Sequence, residues 1–139
     1  MSSSASSDQL RIIIVDDLAD NAETLSLALG LNGLETRTAN DGYEAVLIMI
    51  DFRPHCVLFD ICMPGMDGLD LAKRLRSTSG NDVVLIAMTG LDPDDVRVAD
   101  TFNLVDHYFH KPFELDALLR IFKLIHTLDE VQTSRYQAG

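Results

Sequence analysis

Only two cysteines occur in the chain, Cys56 and Cys62. They stand too close together for a long-loop staple and match no zinc-ligand spacing, which argues against a disulfide-built secreted scaffold. A reducing compartment is expected, the cytoplasm being the simplest address. No apolar run approaches the roughly 18 residues that a membrane span needs. The serine-rich start, Met1–Asp8, also lacks the hydrophobic core of a signal peptide, so no membrane association is expected. Cations are scarce too: 11 Lys and Arg face 22 Asp and Glu, a net charge of −11. A nucleic-acid surface needs clustered Lys and Arg to displace counterions. Direct nucleic-acid binding is therefore not expected, and any control of genes would fall to another protein or domain.

What is present fits one domain. A chain of 139 residues buries enough of its surface to hold a core without disulfides or structural metal. Residues 1–9 are small and polar and read as a flexible leader, residues 10–128 as the folded domain and residues 129–139 as a C-terminal tail. Short β-branched runs at Arg11–Val15, Cys56–Phe59, Val83–Ala87 and Val105–Phe109 predict strands, with the alternating Glu35–Ala39 as a weaker one. Where these runs are continuously apolar rather than alternating, their strands should be buried on both faces. Helices are expected near Asn21–Asn32 closed by Gly33, Gly42–Asp51, Leu69–Ser77, Asp92–Phe102 and Phe113–Leu128. Asp92 before Pro93 reads as an N-cap followed by proline at the first helical position. Five strands alternating with five helices imply right-handed crossovers and a parallel sheet covered on both faces, with a binding crevice at the carboxyl ends of the strands.

Charged groups gather at those ends. Asp16 and Asp17 follow the first strand, Asp60 follows the third, Thr89-Gly90 ends the fourth and Lys111 comes after the fifth. Carboxylates directly after buried runs are costly unless a cation compensates. Hard oxygens without a His or Cys cluster favour Mg²⁺, which takes one or two carboxylates plus water and phosphate oxygens. Taken singly, Asp16 and Asp17 would read as a helix cap, Asp60 as a turn residue and Lys111 as a solvated surface charge. Together they offer a nucleophilic carboxylate able to attack phosphorus, a site for a screening cation and an ammonium for phosphate. His55, His107, His110 and His126 show no pairing typical of catalysis or zinc.

The acid pair, Asp60 leading into Met63-Pro64 and Asp67-Gly68, Thr89-Gly90, and Tyr108 three residues before Lys111-Pro112-Phe113 resemble the receiver domain of two-component response regulators, from about Leu10 to Leu128. That resemblance implies a flavodoxin-like, doubly wound (βα)5 fold with a five-stranded parallel sheet in the order 2-1-3-4-5. It also implies residue roles. Asp60 would accept a phosphoryl group from a sensor histidine kinase or a histidine phosphotransfer protein. Asp17 would ligate Mg²⁺ directly, Asp16 directly or through water, with Asp60 and the backbone carbonyl of Cys62 completing the protein ligands. Thr89 and Lys111 would hold the phosphoryl oxygens, Tyr108 would be the aromatic switch that turns inward with Thr89, and Lys111–Pro112 would be cis. The domain would catalyse only its own phosphorylation and dephosphorylation. Cys62 departs from the pattern, since several receivers carry Asn there and a thiol has no carboxamide to steer hydrolytic water. The chain would then be a stand-alone receiver or a domain of a longer regulator or hybrid kinase.

Two helices carry more apolar surface than one sheet face can bury. Helix 1 has a core stripe of Leu18, Ala22, Leu25 and Leu29 and a second flank of Leu27, Ala28 and Leu31. Helix 5 turns Leu115, Leu118, Leu119 and Phe122 to the sheet, while Ala117, Ile121, Leu124 and Leu128 widen its arc. A helical partner or a second copy docking on helices 1 and 5 would cover them, as would packing of the flanks on each other. Three other functions compete. A phosphatase of the haloacid dehalogenase class normally needs a second Asp two residues after the nucleophile, where Cys62 stands. A flavin-binding electron carrier needs a phosphate-cradling loop after strand 1, which is not there. An interaction module that is never phosphorylated would leave Asp60 unmodified.

Overall fold

In the computed structural model of the protein, residues 9–80 and 82–138 are described, with side chains described through Leu128. Five strands form one sheet: β1 Arg11–Val15, β2 Glu35–Ala39, β3 Cys56–Asp60, β4 Val84–Thr89 and β5 His107–His110. All neighbours pair parallel, in the order β2-β1-β3-β4-β5. Helices α1 Ala19–Leu31, α2 Gly42–Phe52, α3 Gly68–Ser79, α4 Val96–Phe102 and α5 Leu115–Ala138 alternate with them. Fold class, sheet order and direction are those the sequence implied. Among the described residues no helix is long and apolar enough to cross a membrane.

The uninterrupted apolar strands serve two cores at once. Along β1, Ile13 and Val15 point to one face of the sheet and Ile12 and Ile14 to the other, and all four are fully buried. On the first face they meet Ala45, Met49 and Phe52 of α2, Leu71 and Leu75 of α3 and Val98 of α4. On the second they meet Ala22 and Leu29 of α1 and Leu118 and Phe122 of α5. Period-two geometry requires this split, since successive strand side chains face opposite ways.

Local chemistry sets where the helices begin. Asp41 caps α2 by accepting from the Glu44 amide at 2.8 Å, and the Glu44 carboxylate accepts from the Asn40 amide just before the cap at 2.7 Å. Asp67 caps α3 through the Asp70 amide at 2.9 Å. Four expectations are corrected. Asp92 is not a helix cap: its side chain accepts from the Asp94 amide in a turn, and Asp95 caps α4, which starts at Val96. Leu18 is the residue before α1 and is exposed rather than core. Strand β5 starts two residues later than expected, at His107. Helix α5 starts at Leu115 and continues past Leu128 to Ala138, so most of the segment read as a tail is helical. Residues 1–8 of the expected leader lie outside the described residues.

Candidate functional site

Parallel pairing brings every strand's carboxyl end to one edge. The register sets Val15 beside Phe59, Asp60 beside Met88 and Thr89 beside His110, so the residues that end or follow β1, β3, β4 and β5 share that edge. The Lys111 amide donates to the Thr89 carbonyl at 2.7 Å, extending the ladder into the loop that carries the ammonium. The Lys111–Pro112 peptide is cis, as the resemblance implied.

At the centre, Lys111 Nζ donates to Asp60 Oδ2 at 2.7 Å and lies 3.7 Å from Asp16 Oδ2. The remaining oxygens are also engaged: Asp60 Oδ1 accepts from the Cys62 amide at 3.0 Å, and Asp16 Oδ1 from the Leu18 amide at 3.0 Å. Both carboxylates are nearly closed off from water, while about a third of the Lys111 side chain stays exposed. Burial pushes the Asp16 carboxyl above its usual range, opposed by the Leu18 amide and the Lys111 charge and reinforced by Asp60 and Asp17. Burial pulls the other way on Lys111, yet the hydrogen bond to Asp60 and the charges of Asp60 and Asp16 hold its ammonium above the ordinary lysine range.

The structure thus brings together Asp16, Asp60 and Lys111. Asp17 sits beside them on the exposed side. Thr89 is fully buried at the end of β4, and its hydroxyl accepts from the Leu91 amide at 3.0 Å. Tyr108 is half-buried with its ring 6.1 Å from that of Phe102. Its hydroxyl is buried and has no hydrogen-bond partner among the described residues, and burial raises its pKa. A cleft between α1 and the β5–α5 loop, lined by Asn21, Thr24 and Phe113, reaches Asp16 and Lys111.

As a metal site the arrangement is open. Among the described residues no three His, Cys, Asp or Glu side chains form a group that could hold an ion. The donors are instead two buried carboxylates, an exposed third and the adjoining loop, all hard oxygens. That set suits Mg²⁺, which keeps several waters and needs only one or two carboxylates.

Two features of the site were not read from the sequence. Arg97 of α4 reaches over the exposed Cys62, its Nη1 3.7 Å from the sulfur, while its guanidinium grips Asp95 at 2.9 Å. That pairing draws the Asp95 carboxyl down to about 2. Nothing in the sequence signals a contact across 35 residues. Gly68 closes the loop after Asp60: a Cβ there would fall 2.6 Å from Ile61 Cα, and its amide donates to the Ile61 carbonyl at 2.8 Å. Its place after Asp67 in the quoted motif was the available signal.

Comparison with known proteins agrees with this geometry. The model of the response regulator receiver domain family matches residues 12–123. The chain is 39% identical over 110 residues to the response regulator MprA of Mycobacterium sp. (strain KMS), covering 79% of this chain and 47% of that protein. It matches the MprA of Mycobacterium leprae (strain TN) at 39% over 110 residues, 79% of this chain and 48% of that one. The chain thus spans about half the length of these relatives. Among solved structures it resembles a CheY-like receiver domain protein from Methanospirillum hungatei, with a TM-score of 0.80, 25% identity, and coverage of 89% of this chain and 98% of that one. The response regulator TrrA from Thermotoga maritima, solved in complex with Mg²⁺-BeF, superposes with a TM-score of 0.74 at 30% identity over 84% of this chain and 99% of that one.

Proposed function

Because the chain belongs to the response regulator receiver family, we propose that it is a cytoplasmic phosphoaccepting switch whose acceptor is Asp60. The observation that carries this reading is the Lys111 ammonium bound to Asp60 at 2.7 Å with Asp16 3.7 Å away, at the carboxyl edge of a parallel sheet. Asp60 Oδ attacks the phosphorus of a phosphohistidine on a sensor histidine kinase or a histidine phosphotransfer protein. The P–N bond breaks as the O–P bond forms, and the imidazole leaves with the electron pair and takes up a proton. Mg²⁺ held by Asp16, Asp17, Asp60 and the Cys62 carbonyl would supply charge screening between the carboxylate and the incoming phosphoryl oxygens.

The remaining work belongs to the chain's own groups. Lys111, now bound to a bare carboxylate, transfers its hydrogen bond to a phosphoryl oxygen. Thr89 turns its hydroxyl from the Leu91 amide to donate to another. Space vacated by Thr89 suits Tyr108, whose buried and unpaired hydroxyl gives it reason to move. The added negative charge thereby biases a two-state arrangement of the loops after β4 and β5, which alters the partner surface. The exposed Leu27 and Leu31 of α1 and Leu124 and Leu128 of α5 offer an apolar face for the helical phosphodonor. We take residues 10–128 as the functional unit.

The test is mass analysis after incubation with acetyl phosphate and Mg²⁺. One phosphoryl group added to the native protein, and none to Asp60→Asn, supports the reading. Steady turnover of a phosphomonoester would move the assignment to a phosphatase, and absence of any adduct would leave a constitutive interaction module.

A further inference from the structure

Helix α2 is apolar nearly all round, its only charged residues being Glu44 and Asp51. Gly42, Ala45, Met49 and Phe52 face the core. On the opposite side Tyr43, Leu47 and Ile50 stand 58%, 69% and 67% exposed. A helix of this composition is normally covered on both sides, and here the fold covers one. The three exposed residues recur at i, i+4 and i+7, which is the spacing of a coiled-coil seam.

Charge on either flank says what fits that seam. Glu44 and Asp51, seven residues apart, lie along the flank that borders the groove toward edge strand β2, where Asp51 and Leu47 are lining residues. The groove's arginines are held in place by neutral partners: Arg37 lies 4.9 Å over the Phe52 ring, and Arg11 Nε donates to the Phe52 and Arg53 carbonyls. Along the other flank, toward α3, the Arg74 guanidinium lies 5.8 Å from the centroid of the Tyr43 ring. At its N-terminal end the stripe is thus bordered by Glu44 on one side and by Arg74 on the other. Two such helices packed in parallel set Glu44 of each against Arg74 of its neighbour, whereas antiparallel packing carries the two to opposite ends.

We propose that α2 is a self-association surface, on which a second copy of this chain packs its own α2 in parallel, with Leu47 central and Arg74 of each copy facing Glu44 of the other. A two-fold arrangement of this kind is isologous and closes as a dimer. It uses neither the phosphoacceptor pocket nor the α1–α5 face assigned above.

Sedimentation equilibrium of the full chain at physiological ionic strength tests this, since repulsion between copies of charge −11 is then largely screened beyond about 8 Å. The native chain is expected to dimerise reversibly, Leu47→Glu to weaken dimerisation roughly tenfold or more, and Leu31→Glu on α1 to leave it unchanged. Arg74→Glu and Glu44→Arg should each weaken the homodimer, and an equimolar mixture of the two should restore association because both cross-pairs are then of opposite sign. Circular dichroism reports whether Glu44→Arg, which also removes a cap, keeps its fold. If it does not, Leu47→Glu and Arg74→Glu decide alone. A monomeric native chain, an unaffected Leu47→Glu, or a Leu31→Glu as disruptive as Leu47→Glu overturns the proposal. Failure of two folded variants to associate on mixing overturns the parallel pairing.

Discussion

Burial of Asp16 works against the charged form of its carboxyl. Because its carboxyl is raised in the folded state, the native protein binds that proton more tightly than the unfolded chain does. The sign follows: stability from this residue is greatest below the ordinary carboxylate range and falls as pH rises through the raised value. Asp16→Asn keeps an oxygen for the Leu18 amide and removes the charge. It should therefore raise the unfolding free energy from urea denaturation at neutral pH by a few tenths to about 1 kcal/mol, a gain that disappears below the ordinary carboxylate range. The same variant should bind Mg²⁺ more weakly, so stability and function move in opposite directions. These residues were legible because charged groups after buried runs need a reason to be there. Arg97 was not, since a guanidinium on a short exposed helix looks like any solvated charge until the loop bearing Cys62 is seen beneath it.

Elements were legible wherever burial left a periodic trace. Continuous apolar runs gave β1, β3 and β4 because each feeds two cores. Misreadings came where local chemistry imitates a signal. Asp92-Pro93 has the residue types of a helix start, but the chain spends them on a turn and caps α4 three residues later. Leu18 matches the spacing of the α1 stripe, yet it precedes the helix and misses the core. Close approach between elements leaves no periodic trace at all, and two glycines carry it. At Gly68 an added Cβ meets the Ile61 backbone at 2.6 Å, and at Gly42 it meets the Met66 sulfur at 2.5 Å. Backbone cannot yield as a thioether can. Gly68→Ala should thus cost about 2–3 kcal/mol and displace the loop after Asp60, and Gly42→Ala about 1 kcal/mol or less, in urea denaturation. Equal costs at the two positions would contradict this account.

At the scale of the whole molecule, the acidic balance and the site pull against one another. The chain carries a charge of −11, and its crevice adds two buried carboxylates held by one ammonium. Under the proposed function a phosphoryl group brought there needs a further cation, so affinity for the phosphoryl analogue and for the metal should be coupled, each raising the other by the same factor. Beryllofluoride alone should leave the thermal midpoint where it was, and Mg²⁺ alone should shift it little. The two together should stabilise by roughly 2.7 kcal/mol when the analogue is present at a hundred times its dissociation constant. Asp60→Asn should abolish the joint shift while keeping its fold, because the anchoring oxygen is lost and the buried surface is not. Lys111→Met should reduce it, because the ammonium that now rests on Asp60 is the group that must follow the incoming charge. A joint shift that survives Asp60→Asn would place the ligand elsewhere on this acidic surface and remove Asp60 from its role as acceptor.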